Sequence, residues 1–102
     1  MRFLSAVVPL NFAGVVVSAM EIHLTWDLPP NPSNVEDLVE HYTVTVTNIE
    51  TGQEVSFLTF TKETTLQFLH PYYNYDCKVA VVTDHINPDS NILSFMTFPA
   101  GI

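Results

Sequence analysis

The sequence predicts an all-β fold, a sandwich or barrel of short antiparallel strands. Three observations predict it. Apolar residues alternate with polar ones in EIHLTWD, HYTVTVTN and YDCKVAVVT, and successive side chains of a strand point to opposite faces. Turn signals separate these runs at short intervals. No segment carries a capped helical stripe.

The elements follow in chain order. In EIHLTWD, Ile22, Leu24 and Trp26 share one face, with Glu21, His23, Thr25 and Asp27 on the other. DLPPNPSN then brings Pro29, Pro30 and Pro32. Proline cannot donate to a ladder, so the strand ends there. VEDLVEH has apolar Val35, Leu38 and Val39, room for a single helical turn in a long loop. In HYTVTVTN, Tyr42, Val44 and Val46 face one way and Thr43, Thr45 and Thr47 the other. After the turn Glu50-Thr51-Gly52, GQEVSFLTF reads as a strand, and TTLQFL follows Lys62-Glu63 as another. In YDCKVAVVT, Tyr75, Cys77, Val79 and Val81 alternate with Asp76, Lys78, Ala80 and Val82. INPDSN, with Pro88, is expected to separate the last two strands, and NILSFMTF closes the chain before Pro99. Threonine and valine dominate, as a half-buried pleated surface prefers.

Composition bounds the rest. A chain of 102 residues, 47 % of them hydrophobic, holds one domain with a packed core, residues 1–102. Eleven acidic and three basic residues give a net charge of -8. That balance argues against nucleic acid, which needs clustered cations to neutralise phosphate, and against anionic membranes. No apolar run approaches the roughly 18 residues of a membrane span, so direct insertion is not expected. Cys77 is the single cysteine and can form no internal disulfide. Asn31-Pro32-Ser33 is not a glycosylation sequon, because proline occupies its middle position.

The landmarks, in their order, resemble the fibronectin type III domain. Pro9 opens the first strand, Trp26 lies in LTWDLPP, and Tyr42 starts HYTVTV. Leu69, Pro71 and Tyr75 form an L-x-P-x-x-x-Y signature in LHPYYNY, and alternation continues through CKVAVVT. The resemblance spans about residues 9–98. It implies a seven-stranded antiparallel immunoglobulin-like β-sandwich of fibronectin type III type. It also implies roles for six core residues. Trp26 and Tyr42 fill the space between sheets, Leu69 plugs the bottom of the core, and Pro71 stiffens the turn that delivers Tyr75. Tyr75 becomes a tyrosine corner, its hydroxyl bonded to backbone a few residues upstream. Cys77 is a small buried hydrophobe.

The resemblance also bears on the first 19 residues. MRFLSAVVPLNFAGVVVSA has the basic start, apolar middle and small residues of an export signal. Pro9, Asn11 and Gly14 interrupt that middle, and in the family PLNFAGVVV is the first strand. The expectation is a strand, in a module cut from a longer protein.

Little in the sequence supports chemistry. His23 and His41 fall on outward strand faces, and His70 and His85 in or beside turns, with no spacing for a metal. The carboxylates Asp27, Glu36, Asp37, Glu40, Asp84 and Asp89 read as a solvated acidic rim. Cys77 points inward, and a buried thiol is inert. No G-x-S-x-G, H-E-x-x-H or glycine-rich phosphate loop occurs. The expectation is no catalytic residue, no cofactor and no metal.

Two loops are candidates for contact with a protein partner. One runs from Leu28 to Glu40 and offers Asn34, Glu36 and Asp37. The other runs from Asp84 to Asn91 and offers Asp84, His85, Asn87 and Asp89; in the family it lies at the same end of the sandwich. It reads DHINPDSN and holds no Arg-Gly-Asp. A sheet surface is a further candidate. Phe57, Leu58 and Phe60 leave little polar alternation in their strand, and Ala80 and Val82 are expected to face outward beside them. Tyr72 and Tyr73 flank the corner.

The function expected from the resemblance is non-catalytic. The chain reads as a structural and protein-recognition module of an extracellular or cell-surface adhesion or receptor protein. Its partners would be a protein or neighbouring domains, and the isolated domain is expected to be a monomer. Two alternatives stay open: a non-catalytic accessory domain of a multidomain enzyme such as a receptor phosphatase, kinase or glycosidase, and a small freestanding secreted protein.

Overall fold

The computed structural model describes residues 6–30, 34–84 and 86–101, with Ile86 described by its backbone alone. Among the described residues, eight strands and one helical turn follow one another. They are β1 (Leu10–Ser18), β2 (Glu21–Asp27), α1 (Val35–Leu38), β3 (His41–Asn48), β4 (Glu54–Thr59), β5 (Glu63–Leu66), β6 (Asn74–Val82), β7 (Ile86–Asp89) and β8 (Leu93–Met96).

Two antiparallel sheets form the sandwich. One runs β1-β2-β5; the other runs β4-β3-β6-β7, with β8 also paired to β6. The alternation read from the sequence sets which face each strand buries. Ile22, Leu24 and Trp26 of β2 meet Tyr42, Val44 and Val46 of β3 and Tyr75, Cys77, Val79 and Val81 of β6 in one core. Burying each such side chain contributes roughly 1.5–3 kcal/mol.

Within the first segment, Leu10–Ser18 form a strand. β1 pairs with β2 from Leu10↔Asp27 to Ser18↔Glu21. Val7 and Phe12 are buried in the core. Gly14 leaves no room for a side chain, since a Cβ there would lie 2.5 Å from Phe95 Cζ and 2.8 Å from Leu24 Cδ2. Loss of residues 1–19 would therefore uncover β2 and strip apolar residues from the core.

The end of the chain departs from expectation. INPDSN is not a turn between the last two strands. Ile86–Asp89 is itself a strand, pairing Ala80↔Asp89 and Val82↔Ile86 along the upper half of β6. β8 takes the lower half, from Cys77↔Leu93 to Asn74↔Met96. Ser90 joins the halves: its N–H donates to the Val79 carbonyl (2.7 Å) and its hydroxyl accepts from the Val79 N–H (2.9 Å). The seventh strand of the expected sandwich is thus present in two pieces. Pro88 misled the reading because proline is barred from central strands but tolerated at an edge, where no donor is required.

The corner is formed as the resemblance implied. The Tyr75 hydroxyl accepts the His70 N–H at 2.7 Å, and Tyr75 is buried. Leu69 and Pro71 are half-buried, and Leu69 packs against the core while its N–H donates to the Met20 carbonyl (3.0 Å). Thr97 is buried beside them; its hydroxyl donates to the His70 carbonyl (2.7 Å) and accepts the Tyr73 N–H (3.1 Å). Tyr75→Phe removes only the hydroxyl and leaves the His70 N–H without its acceptor. The expected loss is about 1–3 kcal/mol, read from the midpoint of denaturant unfolding. An unchanged midpoint would show that the corner bond contributes nothing.

Candidate interaction surfaces

Both candidate loops lie at one end of the sandwich. The Glu40 N–H donates to the Val82 carbonyl (2.8 Å), which ties the start of β3 to the end of β6. Asn34 precedes α1, and its carbonyl accepts the Asp37 N–H (3.0 Å); Asp37 is exposed. Glu36 reaches across to the β4–β5 turn, where its Oε1 meets Lys62 Nζ at 2.9 Å. That hydrogen bond, then the carboxylate's charge, raises the Lys62 pKa. Tyr42 beneath them has its phenol pKa raised by burial, against an opposing pull from Lys62.

The second loop is shorter than the sequence suggested, because β7 takes up most of it. Asp84 is exposed and accepts from the Thr83 hydroxyl (3.4 Å). His85 lies outside the described residues. Asn87 is not on a loop surface but buried. Its Oδ1 accepts the Val7 N–H (3.1 Å), and its Nδ2 donates to the Val81 carbonyl (2.9 Å) and the Thr83 hydroxyl (3.2 Å). Asp89 is on β7, with its Oδ2 3.0 Å from Lys78 Nζ. The structure therefore brings Asn34, Glu36, Asp37 and Asp84 to one exposed end and removes Asn87 and Asp89 from it.

The sheet surface is also redrawn. Ala80 points away from the core by alternation, yet it is buried. It lies between Thr43 of β3 and Asp89 of β7, and its small side chain is covered there. Val82 is half-buried. Neither extends an exposed patch from β4.

β4 itself is exposed along nearly its whole length. Its inward residues Val55 and Phe57 oppose Val46 and Val44 of β3, but β5 belongs to the other sheet and does not close over them. The gap is a cleft of about 470 Å³ lined by Val46, Val55, Phe57, Leu66, Phe68 and Leu69. Phe68 is 92 % exposed at its rim and adopts φ 61°, a conformation rare for a bulky side chain. The run of apolar residues at 57, 58 and 60 was the sequence signal for this region; the missing neighbour was not visible.

Among the described residues, no three or more His, Cys, Asp or Glu side chains gather where they could hold a metal. No helix of the described residues is long and apolar enough to cross a membrane. His23 bonds the Thr65 hydroxyl through Nδ1 (2.8 Å), and the His70 ring lies tilted against Tyr73, with centroids 5.0 Å apart. Cys77 is buried, and that burial, with a smaller effect of Asp76, pushes its thiol from 9.0 up to about 12. Below pH 9 the thiol is protonated folded and unfolded alike, so it gives no pH dependence. Above pH 9 the unfolded chain ionises first, so stability falls as pH rises towards about 12. The native protein is expected to resist a thiol reagent at pH 8 and to react fully in denaturant; fast labelling of the native protein would contradict this burial.

The fibronectin type III domain profile matches residues 7–96. The chain belongs to the fibronectin type III family. A search of curated proteins finds no match. Solved structures show the same fold in other fibronectin type III domains. The sixth such domain of human fibronectin type III domain containing protein 3 superposes with a TM-score of 0.82 at 16 % identity, over 100 % of this chain and 94 % of that one. The domain from human contactin 1 gives 0.73 at 20 % identity, over 100 % and 90 %. The FN5 domain of Drosophila Lar gives 0.73 at 20 % identity, over 95 % and 100 %. Fibronectin type III domains are as a family protein-interaction modules and generally non-catalytic, and that description applies to this domain at the family level.

Proposed function

We propose that this domain is a non-catalytic recognition and spacer module of an extracellular or cell-surface adhesion or receptor protein, making contact through one loop end and its sheet edges. The observation that carries the reading is the family match over residues 7–96. The filled core and the tyrosine corner agree with a rigid scaffold. The three-domain structure of chicken CNTN1, of which this chain covers 31 %, is an example of such a domain in series with others. Asn34, Glu36, Asp37 and Asp84 form the loop-end surface, an acidic rim suited to a partner with basic side chains.

The test is to display the domain as a tetramer on cells that express candidate partners. Saturable binding, competed by untagged domain and weakened when Asp37 and Asp84 are both changed to Lys, is the expected result. No binding, with a catalytic domain found in the flanking reading frame, would replace this reading by that of an enzyme's accessory domain.

A further inference from the structure

The loop end of the sandwich holds a pocket of about 340 Å³ lined by Glu36, Glu40, Tyr42, Phe60, Thr61 and Lys62. Three separate stretches build it: α1 and the residues after it, the start of β3, and the turn from β4 to β5. Backbone bonds fix its walls. The Glu40 N–H donates to the Val82 carbonyl (2.8 Å), and the Trp26 N–H donates to the Lys62 carbonyl (3.1 Å). Glu40 is thus tied to the sheet of β6 and Lys62 to the sheet of β2.

Tyr42 gives the pocket a polar group that the core does not use. The residue is 4 % exposed, and its ring packs edge-on against Trp26 at 5.5 Å. Its hydroxyl has no hydrogen-bond partner among the described residues, yet Tyr42 lines the pocket and lies close enough to Lys62 and Glu36 to feel both charges. A buried phenol hydroxyl ordinarily bonds to something. Here its capacity is directed into the pocket.

The remaining polar groups select the occupant. Glu36 bonds Lys62 through Oε1, which leaves Oε2 as an acceptor, and the Glu40 carboxylate is exposed. The Thr61 hydroxyl donates to the Glu63 carbonyl (2.9 Å) and keeps its lone pairs. Among the described residues of the lining, Lys62 is the only cation, and Glu36 holds it. Asp27 adds a further negative charge near Lys62. Acceptors and carboxylates therefore prevail, and they suit a cation that brings hydrogen-bond donors. A metal ion does not fit, since no three of the described His, Cys, Asp or Glu residues gather. Phe60, 74 % exposed, offers an aromatic face at the rim. A guanidinium is planar, carries five donors and no acceptor, is weakly hydrated and stacks on aromatic rings, whereas an ammonium is a compact, strongly hydrated point charge. The net charge of -8 draws a basic partner towards this end.

We infer that this pocket takes an arginine side chain of a protein partner, its guanidinium bonded to the Tyr42 hydroxyl and the Glu40 carboxylate and its plane laid on Phe60. The inference rests on the recognition reading above and names the group that the loop end grips.

The test is a titration of isotope-labelled full chain with the capped peptide acetyl-Gly-Arg-Gly-amide, followed by amide NMR at physiological salt. Saturable shifts at Glu36, Glu40, Phe60, Thr61 and Lys62 are expected, with a Kd of about millimolar. Citrulline in place of arginine keeps the shape without the charge and should bind at least about tenfold more weakly; lysine should also bind more weakly. Tyr42→Phe keeps the ring on Trp26 and removes only the hydroxyl, so it should weaken binding about threefold to tenfold. Glu40→Gln, at an exposed site, should do the same. Lys62→Met removes the competing cation and should tighten binding. The spread of the other amide signals shows that each variant is folded. No saturable shift up to about 50 mM peptide would overturn the inference. So would an equal response to the citrulline peptide, or binding indifferent to both Tyr42→Phe and Glu40→Gln. Tighter binding of acetyl-Gly-Glu-Gly-amide would assign the pocket to an anion held by Lys62 and overturn it as well. Peptide saturation without cell binding leaves the pocket assigned and removes the cell-surface reading, and cell binding without peptide saturation does the reverse.

Discussion

Trp26→Ala is expected to cost about 3–5 kcal/mol, the largest loss of any single truncation in this domain. Trp26 is 2 % exposed. Its ring meets Phe12 edge-on at 6.4 Å and Tyr42 edge-on at 5.5 Å, so it links β1, β2 and β3 across the two sheets. Alanine removes the apolar surface and both aromatic contacts, and it leaves a cavity that two hydrogen-bonded sheets cannot collapse to fill. The indole Nε1 has no hydrogen-bond partner among the described residues. Trp26→Phe should therefore recover much of the loss, because a ring is restored and no hydrogen bond is forfeited. Chemical denaturation of the three proteins measures both effects. A loss under about 1 kcal/mol for alanine, the range of surface changes, would mean that Trp26 does not hold the sheets together.

Asn87→Ala is expected to cost more than Tyr75→Phe. The Asn87 carboxamide holds the Val7 N–H, the Val81 carbonyl and the Thr83 hydroxyl. Each buried group left unpaired costs about 1–3 kcal/mol, and Val7 and Val81 both lose a partner. The variant is also expected to loosen the N-terminal segment ahead of β1, seen as faster amide exchange at Val7. A surface loop residue would give neither effect. Unchanged stability with weakened partner binding would return Asn87 to the recognition surface on which the sequence placed it.

These two residues show what kinds of information the sequence contains. Trp26, Tyr42, Tyr75 and Cys77 lie at inward positions of alternating strands, and all four are buried. Local periodicity was enough, because a strand has only two faces. Asn87 and Asp89 sit beside a proline in a polar segment, where a turn is the ordinary reading. What overrode it was the open side of β6, to which β7 adds itself. Ala80 failed for the same reason. Its face was read correctly, but it is covered by strands distant in sequence. In the loop of Glu36, the acidic composition was legible, and the ion pair with Lys62 was not, because the partners meet only when β4 and β5 separate into different sheets.

By itself the sequence determined the all-β class, the faces of β2, β3 and β6, the corner and the family. Those are properties of short windows, where period-two alternation and a few spaced landmarks act independently of the rest of the chain. The tertiary structure alone decided which strands have no neighbour. It divided the last strand in two, buried Asn87 and Ala80, and left β4 open beside the cleft. Edge and cover depend on pairings between residues far apart in the chain, and no local pattern encodes the absence of a partner.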